Sequence, residues 1–471
     1  MFVNALYYIL WNNFLLFDKK KRISSFKYND YQGYITHKLS VVIYSDIWYI
    51  KVVKWTEKRG FLSMIPTKKQ LEFMDWEVGA FFHFGIRTFY EGHRDFDNKI
   101  MPPEAFNPTE LNCDQWMEVI KKGGAKYAIL TCKHHDGFAN WPSAYTEYSV
   151  RNAKWKNGNG DVVREFTDAC RRHGIKVGLY YSPAQVGAQM ENEAAYDEYF
   201  INQITELLTN YGKIEYLWFD GCGSENHQYD VHRIVTHIRK LQPEIMLFEM
   251  WDPDTRWIGN EEGVAPYGSK NVVNRLNFSV KATEAVKLDE AKFLPFECDC
   301  RIRQENWFYS DNDTHLLRTP ENIEALYDYS VGRGGNLLIN IAPDRRGLLP
   351  EEDSAVFGEF GKLIEKKFKN PLECRAEYQD GKIIFTPQKL ETVNCVVIGE
   401  DLTCGENCEG VEVSLLCYGS NKISLAKYPV IGHKQIIYFP ETYIDNKCRQ
   451  LMIEYKGDDT KIKDVKLYYT K

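Results

Sequence analysis

Several things are missing from this 471-residue chain, and each absence removes a class of function. No uninterrupted apolar run approaches the roughly 20 residues that a membrane-crossing helix needs. Basic residues are outnumbered, Lys and Arg at 59 against Asp and Glu at 66, for a formal net charge of -7. That balance argues against a nucleic-acid surface, which needs a basic stripe. The 12 cysteines form no CxxC pair and no zinc spacing. Six of them (Cys374, Cys395, Cys404, Cys408, Cys417 and Cys448) fall after Leu372, and the rest are scattered. Cysteines without a framework suit a reducing compartment. Internal repeats and low-complexity stretches are also absent.

What is present is a soluble globular balance, with 27% charged and 44% hydrophobic residues. The length suits a large barrel with an accessory module. Aromatics are frequent at 14%. A large core accounts for them, and so does a site for sugars, whose C–H faces stack on aromatic rings.

Residues 1–63 read as an extension without stable structure. Phe2 to Phe17 is apolar but is interrupted by Asn12 and Asn13 and followed by Lys19, Lys20, Lys21 and Arg22. A secretory signal carries its positive charge before the apolar run and a small-residue cleavage site after it. The expectation is therefore a cytoplasmic protein. Secretion or anchoring through the apolar run is the alternative.

Residues 64–370 alternate short apolar runs with amphipathic stretches. Seven runs read as strands buried on both faces: Ala80–Gly85, Tyr127–Thr131, Val177–Ser182, Tyr216–Asp220, Met246–Trp251, Phe293–Glu297 and Asn336–Ala342. One intervening helix starts at Asp161 and stops at Gly174. Another shows a stripe of Val231, Ile234, Val235, Ile238 and Leu241. This predicts an α/β fold, a (β/α)8 barrel, with its eighth strand unplaced. Residues 371–471 hold short β-rich segments between turn residues and read as a small β-sandwich.

Catalytic groups of such barrels sit where strands end. The predicted ends carry His83, then His134-His135-Asp136, then Tyr180, then Trp218-Phe219-Asp220, then Glu297-Cys298-Asp299, with Arg256–Gly263 as a long loop. Two carboxylates across a pocket of His, Trp and Tyr is the plan of a retaining glycosidase. Asp220 ends an apolar strand, which suits a nucleophile. It would equally suit a helix N-cap. His134 and His135 are adjacent, so they could chelate one metal only where the chain turns. Hydrogen bonding of sugar hydroxyls fits them better, and neither metal nor cofactor is expected. Ser310–Thr314 reads as a solvated turn.

A series of motifs, in this order, resembles the α-L-fucosidases of glycoside hydrolase family 29 from about Pro66 to Gly361. They are Phe81-Phe82-His83-Phe84-Gly85, Lys133-His134-His135-Asp136-Gly137-Phe138, Gly160-Asp161-Val162-Val163, Gly178-Leu179-Tyr180-Tyr181-Ser182 and Leu217-Trp218-Phe219-Asp220-Gly221. The resemblance implies Asp220 as the covalent nucleophile. It implies His83, His134, His135, Tyr180 and Trp218 as the fucose pocket, with Glu91 as a further contact. Arg256-Trp257-Ile258-Gly259-Asn260-Glu261 and Glu297-Cys298-Asp299-Cys300-Arg301 are similar to a branch acting on α-1,3/1,4-linked fucose of branched glycans. That branch implies Glu261 as the acid/base. Glu297 would orient the acid or bind the aglycone sugar. Where the branch continues its third strand with Ser-Pro-Trp and an acidic residue, this chain has Ser182-Pro183-Ala184-Gln185. The implied partner is a fucosylated glycan, with no nucleic acid and no membrane. Two other readings remain open: a non-catalytic carbohydrate-binding barrel, and a metal-dependent hydrolase built on the two histidines.

Overall fold

The computed structural model describes residues 23–29, 36–44, 47–53, 64–91, 99–185, 192–224, 227–277 and 285–470. Met1–Ser63 and Met64–Lys471 form two compact units. In the first, Ile23–Asn29, Thr36–Tyr44 and Ile47–Val53 pair as an antiparallel meander. The apolar run Phe2 to Phe17 lies outside the described residues. Among those described, no helix is long and apolar enough to cross a membrane.

The second unit opens with the barrel. Its parallel strands are β1 (Val78–Phe82), β2 (Tyr127–Lys133), β3 (Lys176–Tyr181), β4 (Tyr216–Phe219), β5 (Met246–Phe248), β6 (Arg256–Trp257), β7 (Phe296–Arg301) and β8 (Asn336–Asn340). They lie in the order β5-β4-β3-β2-β1-β8-β7-β6. The Phe248–Thr255 bridge, with Leu247 O accepting from Asp254 N–H, draws β5 and β6 together. The barrel is therefore nearly closed. The strand left unplaced by the sequence is β6, only two residues long.

Helices cover the outside, as the hydrophobic pattern of buried parallel strands requires. The helix Val162–His173 matches the expected one: Asp161 accepts from Arg164 N–H at 2.8 Å and Gly174 closes it with φ 70°. The helix Val231–Leu241 buries Ile234 and Ile238 from its stripe. Its N-cap is Asp230. Asp220 is therefore free of the capping role that its position at a strand end allowed.

Alternation along the strands separates two cores. Phe82 turns outward onto Trp116 and Phe166. Phe81, Tyr127, Tyr180, Tyr216, Trp218 and Phe248 fill the interior. Gly79 makes room for one of them, since a Cβ there would lie 2.3 Å from the Tyr127 ring. A glycine on β1 thus lets a tyrosine of β2 reach the barrel axis.

After the helix Glu351–Phe368, the chain forms two antiparallel sheets. Cys374–Gln379, Lys382–Pro387, Arg449–Lys456, Gly410–Cys417 and Lys422–Tyr428 make one. Gln435–Ile444, Glu391–Glu400 and Ile462–Tyr468 make the other. Ile383, Phe385, Val396, Ile398, Val413, Ile437 and Ile453 share one buried core.

Candidate active site

The C-terminal ends of the barrel strands open onto a cleft. His83, His134, Tyr180, Trp218 and Asp220 line it from the first half of the barrel, and Glu249, Trp257, Glu261, Asp299 and Trp307 from the second. Phe81 and Phe248 supply apolar wall.

Asp220 follows β4, where Gly221 begins the turn. Its Oδ2 accepts from the Tyr180 hydroxyl at 2.7 Å and lies 3.4 Å from His135 Nε2. Its Oδ1 accepts from Cys222 N–H at 2.8 Å. Burial pushes this carboxyl up, but the charge of His135 and the hydrogen bonds from His135, Cys222 and Tyr180 outweigh it and hold the group below its usual range. An ionised, oriented carboxylate at the cleft floor is what nucleophilic attack requires. Removing one donor to the charged form raises a carboxyl pKa. Tyr180→Phe is therefore expected to move the acidic limb of the kcat/KM–pH profile to higher pH and to lower kcat/KM about 10-fold. A profile unchanged in both respects would show that the Tyr180 hydroxyl does not hold Asp220 ionised.

The histidines are fixed by their neighbours. His83 Nδ1 is 2.8 Å from Asn340 Oδ1, and the same oxygen accepts from His83 N–H. His135 Nδ1 is 2.6 Å from Ser182 Oγ. The His134 ring stacks on Tyr180 at 5.6 Å between centroids. His134, His135 and Asp220 offer ligand atoms within 4.8 Å of one another and could hold a divalent ion. His135 and Tyr180, however, already engage the Asp220 carboxylate.

Glu261 reaches the cleft from the loop after β6. Gly263 N–H donates to Asp299 O, and Asn260 ties the turn by accepting from Glu262 N–H and donating to Val264 O. Gly263 has φ 73°, and a Cβ there would lie 3.0 Å from Cys300 Sγ. Glu261 Oε2 is 3.3 Å from Arg301 Nη1. Asp299 accepts from Trp257 Nε1 at 2.6 Å. Burial, then the nearby Glu261 charge, pushes its carboxyl well up.

Three residues expected in the pocket do not line the cleft, and one of them, His135, is fully buried beside Asp220. Glu91 does not line the cleft. It accepts from Ser310, Asp311 and Asn312 and pairs with Arg345. Glu297 belongs to the second position of β7 rather than to a strand end, and it is fully buried. Its carboxylate accepts from Trp218 Nε1 at 2.9 Å and from the Tyr127 hydroxyl at 2.5 Å. It therefore holds the Trp218 indole of the cleft by a hydrogen bond and does not itself line the cleft. Nor is Ser310–Thr314 wholly solvated, since Asp313 is buried against Arg303.

Burial pushes the Glu297 carboxyl up to about 7 despite these donors. A folded value above the usual 4.5 means that the folded state holds the proton longer. Stability linked to this group is therefore fully present at low pH and is lost as pH rises toward 7. Glu297→Gln is expected to flatten that decline in thermal unfolding. Glu297→Leu, which releases the indole, is expected to raise KM for a bound sugar about 10-fold while kcat changes less. A KM within twofold of wild type would remove the positioning role.

A family model described as alpha-L-fucosidase matches residues 89–368. The chain belongs to the α-L-fucosidase family. Alpha-L-fucosidase 1 of Arabidopsis thaliana is 37% identical over 324 residues, 66% of this chain and 62% of that protein. The chain thus spans about three fifths of the length of that relative. A crystal structure of a putative alpha-L-fucosidase from Bacteroides ovatus has a TM-score of 0.77 and 32% identity, over 88% of this chain and 76% of that one. A Ruminococcus gnavus glycoside hydrolase 29 fucosidase in complex with fucose has a TM-score of 0.73 and 25% identity, over 87% and 95%.

Trp307 and Glu249 also line the cleft and were not singled out from the sequence. Trp307 comes from the loop after β7 and packs on His83 at 4.8 Å. Glu249 left one signal, a charge inside the apolar run Met246–Trp251.

Proposed function

We propose that this protein is a retaining exo-α-L-fucosidase that removes α-1,3/1,4-linked terminal fucose from branched glycans. The observation that carries the reading is the Asp220 carboxylate, held ionised by His135 and Tyr180 in a cleft that Glu261 also lines. Fucose is a 6-deoxy sugar. Its methyl group needs apolar wall and its hydroxyls need polar partners, which Phe81 and Phe248, and His83 and His134, supply. The R. gnavus relative was solved with fucose.

In the first step Asp220 attacks the anomeric carbon and a C–O bond forms as the glycosidic C–O bond breaks. The departing oxygen takes the proton of Glu261. In the second, water attacks the same carbon, gives its proton to Glu261 and frees Asp220. Two inversions leave the configuration as it was. NMR of the first-formed product from an aryl α-L-fucoside tests this: α-L-fucose is expected first, and initial β-L-fucose would overturn it. A panel of fucosylated oligosaccharides of defined linkage tests the linkage preference. Binding of L-fucose without any hydrolysis would instead identify a non-catalytic sugar-binding barrel.

A further inference from the structure

Glu249 stands at the end of β5, between two aromatic walls of the cleft. Phe248, before it, stacks face to face on Trp218 at 4.0 Å. Its own Oε2 accepts from the Trp257 backbone N–H at 2.5 Å. Glu249 itself lines the cleft and is 2% exposed. Its second oxygen, Oε1, is buried with no hydrogen-bond partner among the described residues.

A bracket between β5 and β6 would need only Oε2. Leaving the other oxygen of a buried carboxyl unmatched costs stability. Burial pushes this carboxyl up to about 8, against the Trp257 N–H and the Arg256 charge. It is therefore protonated near neutral pH and has an O–H to give. The backbone here adds a further cost, since Glu249 has φ 62° and Trp251 φ 68°, both non-glycine residues in the left-handed region. Such strain persists where the surroundings over-determine it. The other polar groups of the wall are accounted for: Asp220 by Tyr180 and Cys222, Asp299 by Trp257, Glu261 by Arg301.

We propose that Glu249 is a substrate-binding residue whose carboxyl donates a hydrogen bond to a hydroxyl of the sugar held in the cleft. It faces that sugar from the half of the barrel opposite His83 and His134. The inference rests on the fucosidase reading, and it adds a contact from β5 that neither the sequence motifs nor the family resemblance assigns.

The test is the inhibition constant of free L-fucose against aryl-fucoside hydrolysis, with thermal unfolding followed in parallel. Glu249→Gln keeps an acceptor for Trp257 N–H and puts an amide donor at the other position. Its constant is expected to stay within about threefold of wild type. Glu249→Leu keeps the bulk and removes both functions, and its constant is expected to rise about 10-fold. Should the leucine variant not fold, Glu249→Ala, which admits water to Trp257 N–H, takes its place under the same criterion. A folded leucine or alanine variant that binds L-fucose within twofold of wild type overturns the assignment and leaves Glu249 a bracket. Wild-type protein that neither binds L-fucose nor hydrolyses the fucoside sinks the fucosidase reading, a result separate from the behaviour of any Glu249 variant.

Discussion

Asp220→Ala is expected to lower kcat by about 10⁴-fold or more while the protein stays folded. The neighbours of Asp220 offer no replacement. Tyr180 and Cys222 act as hydrogen-bond donors, and His135 is held by Ser182. None of them presents a second carboxylate to the same point. The structural loss is small by comparison. Asp220 accepts one backbone bond, from Cys222 N–H. Losing one side-chain hydrogen bond of that sort costs about 1 kcal/mol. The helix that follows is capped by Asp230 and is untouched. Activity and stability should therefore separate: a collapse in turnover with a melting temperature shifted by only a few degrees. Added azide should restore part of the turnover by entering the space vacated by the carboxylate and should yield a β-fucosyl azide. Near wild-type turnover in a folded Asp220→Ala would remove the residue from the chemistry.

Much of this site is legible in the sequence because barrel strands are read twice. Their apolar runs announce the strand, and their ends announce the mouth. His83, His134, His135, Tyr180, Trp218 and Asp220 all follow that logic. It fails where a strand boundary is set by something other than hydrophobicity. Phe293–Glu297 reads as one run, yet Pro295 cannot donate to a ladder. The chain therefore divides there: Val286–Phe293 joins a hairpin and β7 starts at Phe296. That shift moves Glu297 from the mouth to the interior, where it bonds Trp218. The run Met246–Trp251 fails in the same way. Glu249 turns left-handed, β5 stops at Phe248, and a residue read as mid-strand becomes part of the cleft wall. The strand β6 was hidden for a third reason. Two residues, Arg256 and Trp257, leave no periodicity to detect, and only their pairing with β7 defines them.

Glu261→Ala tests the other carboxylate, and its effect should depend on the leaving group. A sugar hydroxylate leaves poorly and needs a proton as the bond breaks. A dinitrophenolate leaves readily without one. General-acid assistance is worth about 10²–10⁴-fold. Glu261→Ala is therefore expected to slow release of fucose from a Lewis-type trisaccharide by about 10³-fold, and first-step turnover of a dinitrophenyl fucoside far less. The geometry separates Glu261 from its neighbours. Glu262 is held by Asn260 at the surface of the turn and does not line the cleft, so Glu262→Ala should do little. Glu297 is buried and bonded to Trp218, so its loss should lack the leaving-group dependence. Asp299 is the sharper control. It lines the same cleft, and the Glu261 charge bears on it. A like charge at close range favours the state in which one of two carboxyls keeps a proton. Burial makes Asp299 the one of the pair that keeps the proton. Asp299→Asn leaves an acceptor for Trp257 and is expected to leave the leaving-group dependence with Glu261. If Asp299→Ala, and not Glu261→Ala, shows the leaving-group dependence, the proton comes from β7 and the roles of the two carboxyls are exchanged.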